Sequence, residues 1–304
     1  MRIVITGATG LIGSALAAAL DRDGIEVTRL VRRPPASPAQ VRWDPTATAG
    51  KLDPAVLSGA GGVVHLSGAP VAGGRWTPAR KQQLRDSRIT STRAITEAIA
   101  AAPVPPPVLL CASAIGWYGG DTGDRAVTES DPAGRGFLAT LVRDWEATAA
   151  AAPAGTRVVS MRSGLVLAGR GGILGPLLPL FRLGLGARLG TGRQYLSWIS
   201  RTDEVRAIRF LLDHADMAGP VNLTAPAPVT NAEFTAALAR AVHRPALLTV
   251  PAVALRAGLG EASGELLGSL RVLPQKLEQA GFSFRYPAIG EALAAELSAP
   301  GAPR

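Results

Sequence analysis

The chain of 304 residues holds a single cysteine, Cys111. An intramolecular disulfide framework is therefore excluded, as is a structural zinc site built from cysteines, and a reducing cytoplasm is the expected setting. Histidine is nearly as scarce, with three copies. His65 lies inside an apolar run and reads as a satisfied core residue, while His214 and His243 are isolated, so no metal site is expected. No uninterrupted apolar run reaches the roughly 18 residues a membrane span needs. The apolar opening Ile3 to Leu20 is broken by Gly7, Gly10 and Gly13 and has no long basic segment before it, so export is not expected either. Lysine is almost absent: Lys51, Lys81 and Lys276 are the only three among 32 basic residues. The net charge of +9 permits contact with polyanions, yet there is no nucleic-acid motif and no aromatic interleaving to use it. Neither a nucleic-acid nor a membrane partner is expected, and the oligomeric state is left open.

Short β-branched runs alternate with longer Ala/Leu-rich segments. The runs Arg2–Thr6, Glu26–Val31, Gly62–Leu66, Val108–Ala112 and Arg157–Met161 read as strands. The segments Leu11–Asp21, Thr77–Ala101 and Gly136–Ala151 read as crossover helices between Gly or Pro punctuation. Such alternation predicts an α/β fold, a Rossmann-type doubly wound parallel sheet. Beyond residue 168 the pattern turns Gly- and Leu-rich and then mainly helical, as in Asn231–Val242 and Pro287–Leu297. The expected organisation is a dinucleotide-binding domain over residues 1–168, with a return segment near 197–225, and a smaller C-terminal substrate region over 169–304. The tail Ala299–Arg304 is expected to fray.

In Thr6-Gly7-Ala8-Thr9-Gly10-Leu11-Ile12-Gly13, three glycines recur at a spacing of three, directly after a strand and opening a helix. Glycine lets the backbone turn tightly and approach a pyrophosphate, whose charge then meets the free N–H groups of the helix start. Gly7, Thr9, Gly10, Leu11, Ile12 and Gly13 are therefore candidate cofactor contacts. An acidic residue that would bind a ribose 2′-hydroxyl is missing about twenty residues on. The second strand instead ends in Arg32 and Arg33. A guanidinium there can clamp a 2′-phosphate, so NADP(H) is expected over NAD(H). Asp44, after the short strand Val41 to Trp43, is a candidate for the adenine amino group, or else a turn residue. Lys81, Arg85 and Arg88 share helical spacing and suggest either a solvated face or a cationic one turned to an anion.

These motifs, with Ser67-Gly68-Ala69 after the fourth strand and Ser113 to Gly119 after the fifth, resemble the extended, epimerase-like short-chain dehydrogenases/reductases. Arg75-Trp76-Thr77, Ser87-Arg88, Asp144-Trp145-Glu146, Leu273-Pro274 and Ala280-Gly281-Phe282 are similar to an atypical branch with its own small C-terminal domain and no assigned substrate. The resemblance implies cofactor contacts at Ser67, Gly68, Ala69, Arg88 and Arg162. Arg88 could also orient an anionic substrate, and Arg162 reads equally as one half of an ion pair. It further implies a Tyr-x-x-x-Lys pair, in which lysine lowers the phenol's pKa for proton exchange. That pair is absent: four residues after Tyr118, Tyr195 and Tyr286 stand Thr122, Ile199 and Gly290. Ser113 and Tyr118 are the remaining candidate catalytic hydroxyls, with Tyr118 expected near its ordinary pKa of about 10. Trp117, Tyr195 and Trp198 read as core or pocket wall, and Asp203 as structural. The expectation is an NADP(H)-dependent oxidoreductase acting on a small organic substrate, as a reductase. The alternative is a catalytically silent NADP(H)-binding sensor or scaffold. Nucleotide-sugar epimerisation is disfavoured because its base is missing.

Overall fold

The computed structural model describes residues 1–45, 52–71 and 74–298, so the tail Ala299–Arg304 lies outside the described residues. Five strands lead the chain: β1 (Arg2–Thr6), β2 (Glu26–Val31), β3 (Gln40–Arg42), β4 (Gly62–His65) and β5 (Val108–Ala114). With Arg157–Ser163 and Gly219–Leu223 they form one seven-stranded sheet. Its order is Gly219–Leu223, Arg157–Ser163, β5, β4, β1, β2, β3, and every pairing is parallel. The order reverses between β1 and β4, which opens a crevice at the carboxyl ends of these strands.

Side chains alternate across the strands and build a core on each face. Ile3, Ile5, Val64, Leu110 and Val159 pack on one side with Leu16 and Leu20 of helix α1 (Leu11–Arg22) and Ile208 and Leu211 of the helix Arg201–Asp213. Val4, Val63, Leu109 and Cys111 face the other way, against Ile95 and Ile99 of helix α2 (Pro78–Ala101) and Trp145 of helix α3 (Phe137–Ala150). All of these side chains are buried, which is why the strands read as nearly continuous apolar runs.

A third core belongs to the C-terminal part. There Leu174, Leu178 and Phe181 meet Phe234, Leu238, Ala292 and Leu293, all from the helices Leu174–Arg182, Asn231–Ala241 and Ile289–Ser298. Three two-stranded ladders that periodicity did not predict complete it: Leu165–Leu167 with Trp198–Ser200, Tyr195–Leu196 with Val229–Thr230, and Ala187–Leu189 with Leu248–Val250. Asp203 is fully buried and accepts the Arg285 and Tyr286 amides at 2.8 and 2.9 Å. Its role is structural, joining the helix Arg201–Asp213 to the closing segment of the chain. Among the described residues no helix is long and apolar enough to cross a membrane.

Candidate functional site

The turn from β1 into α1 needs its glycines. Gly7 has φ 64, and a Cβ there would sit 2.7 Å from the Leu66 carbonyl oxygen; a Cβ at Gly13 would meet the Gly7 oxygen at 2.3 Å. Both obstructing atoms are backbone, so no side chain can move aside. Helix α1 starts at Gly10 with no side-chain cap and no acid in its first turn. The N–H groups of Leu11, Ile12 and Gly13 are thus left without a side-chain acceptor at the positive end of the helix, the donor set a pyrophosphate requires.

The Thr6 hydroxyl ties this turn to the end of β4. It accepts the Leu66 and Ser67 amides at 3.1 and 3.2 Å and lies 2.7 Å from His65 Nδ1. With its one proton given to Nδ1, the imidazole is neutral and its Nε2–H points to Thr92 and Ser91, 3.1 and 3.2 Å away. Burial pushes the His65 pKa down to about 3, so the ring holds one protonation state and serves as a strut. This matches the core reading of His65.

Above these elements lies a groove of about 1060 Å³. Gly7, Thr9 and Gly10 form its floor, Arg32, Arg33 and Asp44 one end, Ser67, Gly68 and Ala69 its side, and Arg80, Gln83 and Asp86 of α2 the far wall. Nine of the candidate cofactor residues therefore stand around one cavity, with Leu11, Ile12 and Gly13 in the helix turn beneath it. The wall from α2 was not foreseen. Arg80 directly precedes Lys81 in the sequence, but only the fold brings it to the groove, where its guanidinium donates to the Pro70 carbonyl.

Two of the expected cofactor contacts, Arg88 and Arg162, do not line this groove. Arg88 is 8% exposed; its donors go to the Leu84 and Ala69 carbonyls at 3.1 and 3.0 Å. It braces the Ser67–Ala69 loop through the Ala69 carbonyl. Burial, with the neighbouring Arg80 charge, lowers its pKa to about 10, so it stays cationic at neutral pH. Lys81 and Arg85, which share its spacing, pair instead with Glu261 and Asp144. Arg162 is 2% exposed and binds Glu146 with two parallel bonds of 2.8 Å, while its plane stacks 3.9 Å from the Trp117 ring centre. The ion-pair reading of Arg162 is the one the geometry supports.

The candidate catalytic hydroxyls belong to that same buried network. Ser113 donates to Glu146 Oε1 at 2.6 Å. Tyr118 donates to Asn222 Oδ1 at 2.7 Å and accepts from Arg162 Nη1 at 3.1 Å. Its ring is 4% exposed, and burial, outweighing the nearby Arg162, pushes the phenol up to about 12. The phenol thus lies above the expected value near 10, and its hydroxyl both donates and accepts a hydrogen bond within the protein. Phe137 opens α3, the helix on which the missing Tyr-Lys pair would stand; its ring takes the edge of Trp76 at 5.4 Å and the Lys81 ammonium at 5.1 Å. Arg75 bonds the Ala257 and Gly258 carbonyls, so the C-terminal segment is fastened across the start of α2.

The model of the NAD dependent epimerase/dehydratase family matches residues 3–223, and a domain of unknown function, DUF1731, matches residues 250–296. An epimerase family protein of Mycobacterium bovis, Mb2239, is 52% identical over 301 residues, covering 98% of each chain. Bovine SDR39U1, also named an epimerase family protein, is 34% identical over 297 residues, covering 96% of this chain and 98% of its own. The crystal structure of human SDR39U1 with NADPH superposes with a TM-score of 0.89 at 32% identity, covering 97% of this chain and 98% of that one. Sequence, fold and glycine turn agree: the chain belongs to the NAD dependent epimerase/dehydratase family.

Proposed function

We propose that this protein is an NADP(H)-dependent oxidoreductase that reduces a small organic substrate without a tyrosine–lysine acid–base pair. The observation that carries the reading is the pairing, around one groove, of an uncapped helix start with Arg32 and Arg33 where an acid would select NAD(H). The relative crystallised with NADPH supports it. When bound, the nicotinamide supplies the hydride. The chain's own part is to hold the pyrophosphate on the Leu11–Gly13 amides, to clamp the 2′-phosphate with Arg32 and Arg33, and to keep the groove in shape through Thr6, His65 and Arg88.

The proton that must accompany the hydride has no phenolate–ammonium source here. Tyr118 has its hydrogen bonded to Asn222, and Ser113 has its own on Glu146. The substrate class that suits this site accepts hydride with little proton assistance, such as an activated alkene or an imine. Alcohol oxidation and sugar epimerisation, which need a strong base, are disfavoured, although relatives carry the word epimerase in their names. A cytoplasmic setting fits the lone, buried Cys111. The occupied hydroxyls also favour a second reading, an NADP(H)-binding sensor without turnover.

One experiment separates these. The purified chain, loaded with NADPH, is offered activated alkenes, imines, ketones and sugar nucleotides while NADPH absorbance is followed. Consumption with an alkene or imine supports the reductase, and tight NADPH binding with no consumption supports the sensor. Brisk, reversible oxidation of simple alcohols would contradict both.

A further inference from the structure

Eight large apolar side chains stand exposed among the described residues, and six of them lie in the C-terminal part: Leu180, Leu183, Leu185, Leu247, Leu248 and Val253. Leu247 is 87% exposed and Leu183 73%. The fold gathers them. Leu185 N–H bonds the Leu180 carbonyl at 2.9 Å, Leu248 pairs with Ala187 across a ladder, and Arg244 Nε reaches the Arg182 carbonyl at 3.2 Å. Beside the leucines runs an open groove of about 940 Å³ whose polar wall includes Arg188, Arg240, Arg244 and His243. None of its lining residues belongs to the cofactor groove.

The charge of this face is one-sided. The sequence carries no Asp or Glu between Glu146 and Asp203, nor between Glu233 and Glu261, and these two stretches supply every exposed apolar residue and every arginine of the patch. No salt bridge is formed by Arg188, Arg240 or Arg244 among the described residues. Arg244 donates only to carbonyls, which orient its guanidinium without neutralising it. His243 adopts a left-handed backbone (φ 55), the one non-glycine residue to do so among the described residues. There the chain turns out of the helix Asn231–Ala241, and the Arg244 amide returns to the Ala239 carbonyl.

We propose that this face docks the protein on an anionic lipid bilayer, the leucines entering the headgroup boundary and the arginines meeting lipid phosphates. Protruding aliphatic side chains ringed by unpaired cations are what such a boundary accommodates: tails below, anionic headgroups around. A second copy of the chain fits less well, since two-fold pairing would set the same arginines against one another. Nucleic acid fits less well too, because the groove lining holds no Phe, Tyr or Trp on which successive bases could stack and a base-stacking mode leaves the leucines without a role. The expectation of no membrane partner weighs the net charge only as a whole; the fold concentrates arginines and exposed leucines on one face.

The test is co-sedimentation of the full chain with vesicles of pure phosphatidylcholine or of phosphatidylcholine with phosphatidylglycerol, at low and high salt. Binding to the anionic vesicles should exceed binding to the neutral ones by about tenfold or more and weaken with salt. Leu183→Ser combined with Leu247→Ser should lower it about tenfold or more, and Arg188→Glu with Arg240→Glu at least as much. All variants should keep NADPH affinity, which reports that they fold. Arg93→Glu, an exposed reversal on α2, should change binding by less than about threefold. Equal binding to both vesicle types, no binding to either, or equal losses from Arg93→Glu would overturn the proposal. So would concentration-dependent dimerisation that the leucine variants abolish.

Discussion

Tyr118→Phe distinguishes a wall from an acid. The substitution keeps the ring in its buried place and removes only the hydroxyl, which gives its proton to Asn222 Oδ1 at 2.7 Å and takes one from Arg162 Nη1 at 3.1 Å. Both partners stay behind in the interior, Asn222 at 0% and Arg162 at 2% exposure. A buried polar group stripped of its partner costs about 1–3 kcal/mol. Arg162 keeps its two bonds to Glu146, so Asn222 dominates and the loss should total about 2–4 kcal/mol. Urea denaturation of the two proteins measures it as a lower midpoint at unchanged slope. NADPH affinity should stay within about twofold, and turnover on any substrate found should fall by less than about threefold, because a phenol held near 12 and bonded to Asn222 is not the proton source. A variant as stable as wild type whose turnover falls by about 10²-fold would refute this and return Tyr118 to the role of acid.

Three further outcomes follow from the same geometry. Gly13→Ala forces a methyl onto the Gly7 carbonyl oxygen and should weaken NADPH at least about tenfold by calorimetry, the loop having to move off the pyrophosphate; unchanged affinity would mean that the turn is not the binding element. Glu204 is fully buried and accepts from Ser163, and burial lifts its carboxyl from 4.5 to about 7. An acid whose folded pKa is raised favours folding while protonated, so its contribution is complete below pH 4.5 and is lost as pH rises to about 7, a change of about 3 kcal/mol. Glu204→Gln should flatten that decline in denaturation curves taken across this range, and an identical decline in the variant would place the titration elsewhere. Cys111, 1% exposed with its thiol pushed up to about 12 by burial, should resist a thiol reagent in the native protein and react only in denaturant, whereas prompt native labelling would show the core opening.

Much of the nucleotide-binding half was legible because each signal was local. The strand Arg2–Thr6, the glycine spacing and the start of α1 lie within thirteen residues, and strands buried on both faces leave continuous apolar runs. The ladders of the C-terminal part were not legible: Ala187–Leu189 and Leu248–Val250 are three residues each, with partners some sixty positions apart, too short for periodicity to register. The arginines show the limit for the site. Arg32 and Arg80 end on the groove, while Arg88 and Arg162 end on a carbonyl and a carboxylate, and nothing local to each residue separates the two outcomes. The Tyr118 acceptor, Asn222, is 104 positions away, so the sequence displayed a free phenol where the fold makes an occupied one. Thr6, central to the turn, reads locally as the last residue of a strand, and its partners Leu66 and Ser67 lie some sixty positions on.

The central claim is that Arg32 and Arg33 select the phosphorylated cofactor on this groove. Calorimetric titration of NADPH and of NADH into the wild type and into Arg32→Asp tests it most directly. Each charge-assisted contact to the 2′-phosphate is worth about 1.5–3 kcal/mol, or roughly ten- to a hundredfold. Wild type should therefore bind NADPH tighter than NADH by at least that factor, and Arg32→Asp should lose most of the difference while leaving NADH affinity nearly unchanged. Equal wild-type affinities for the two cofactors would contradict the account.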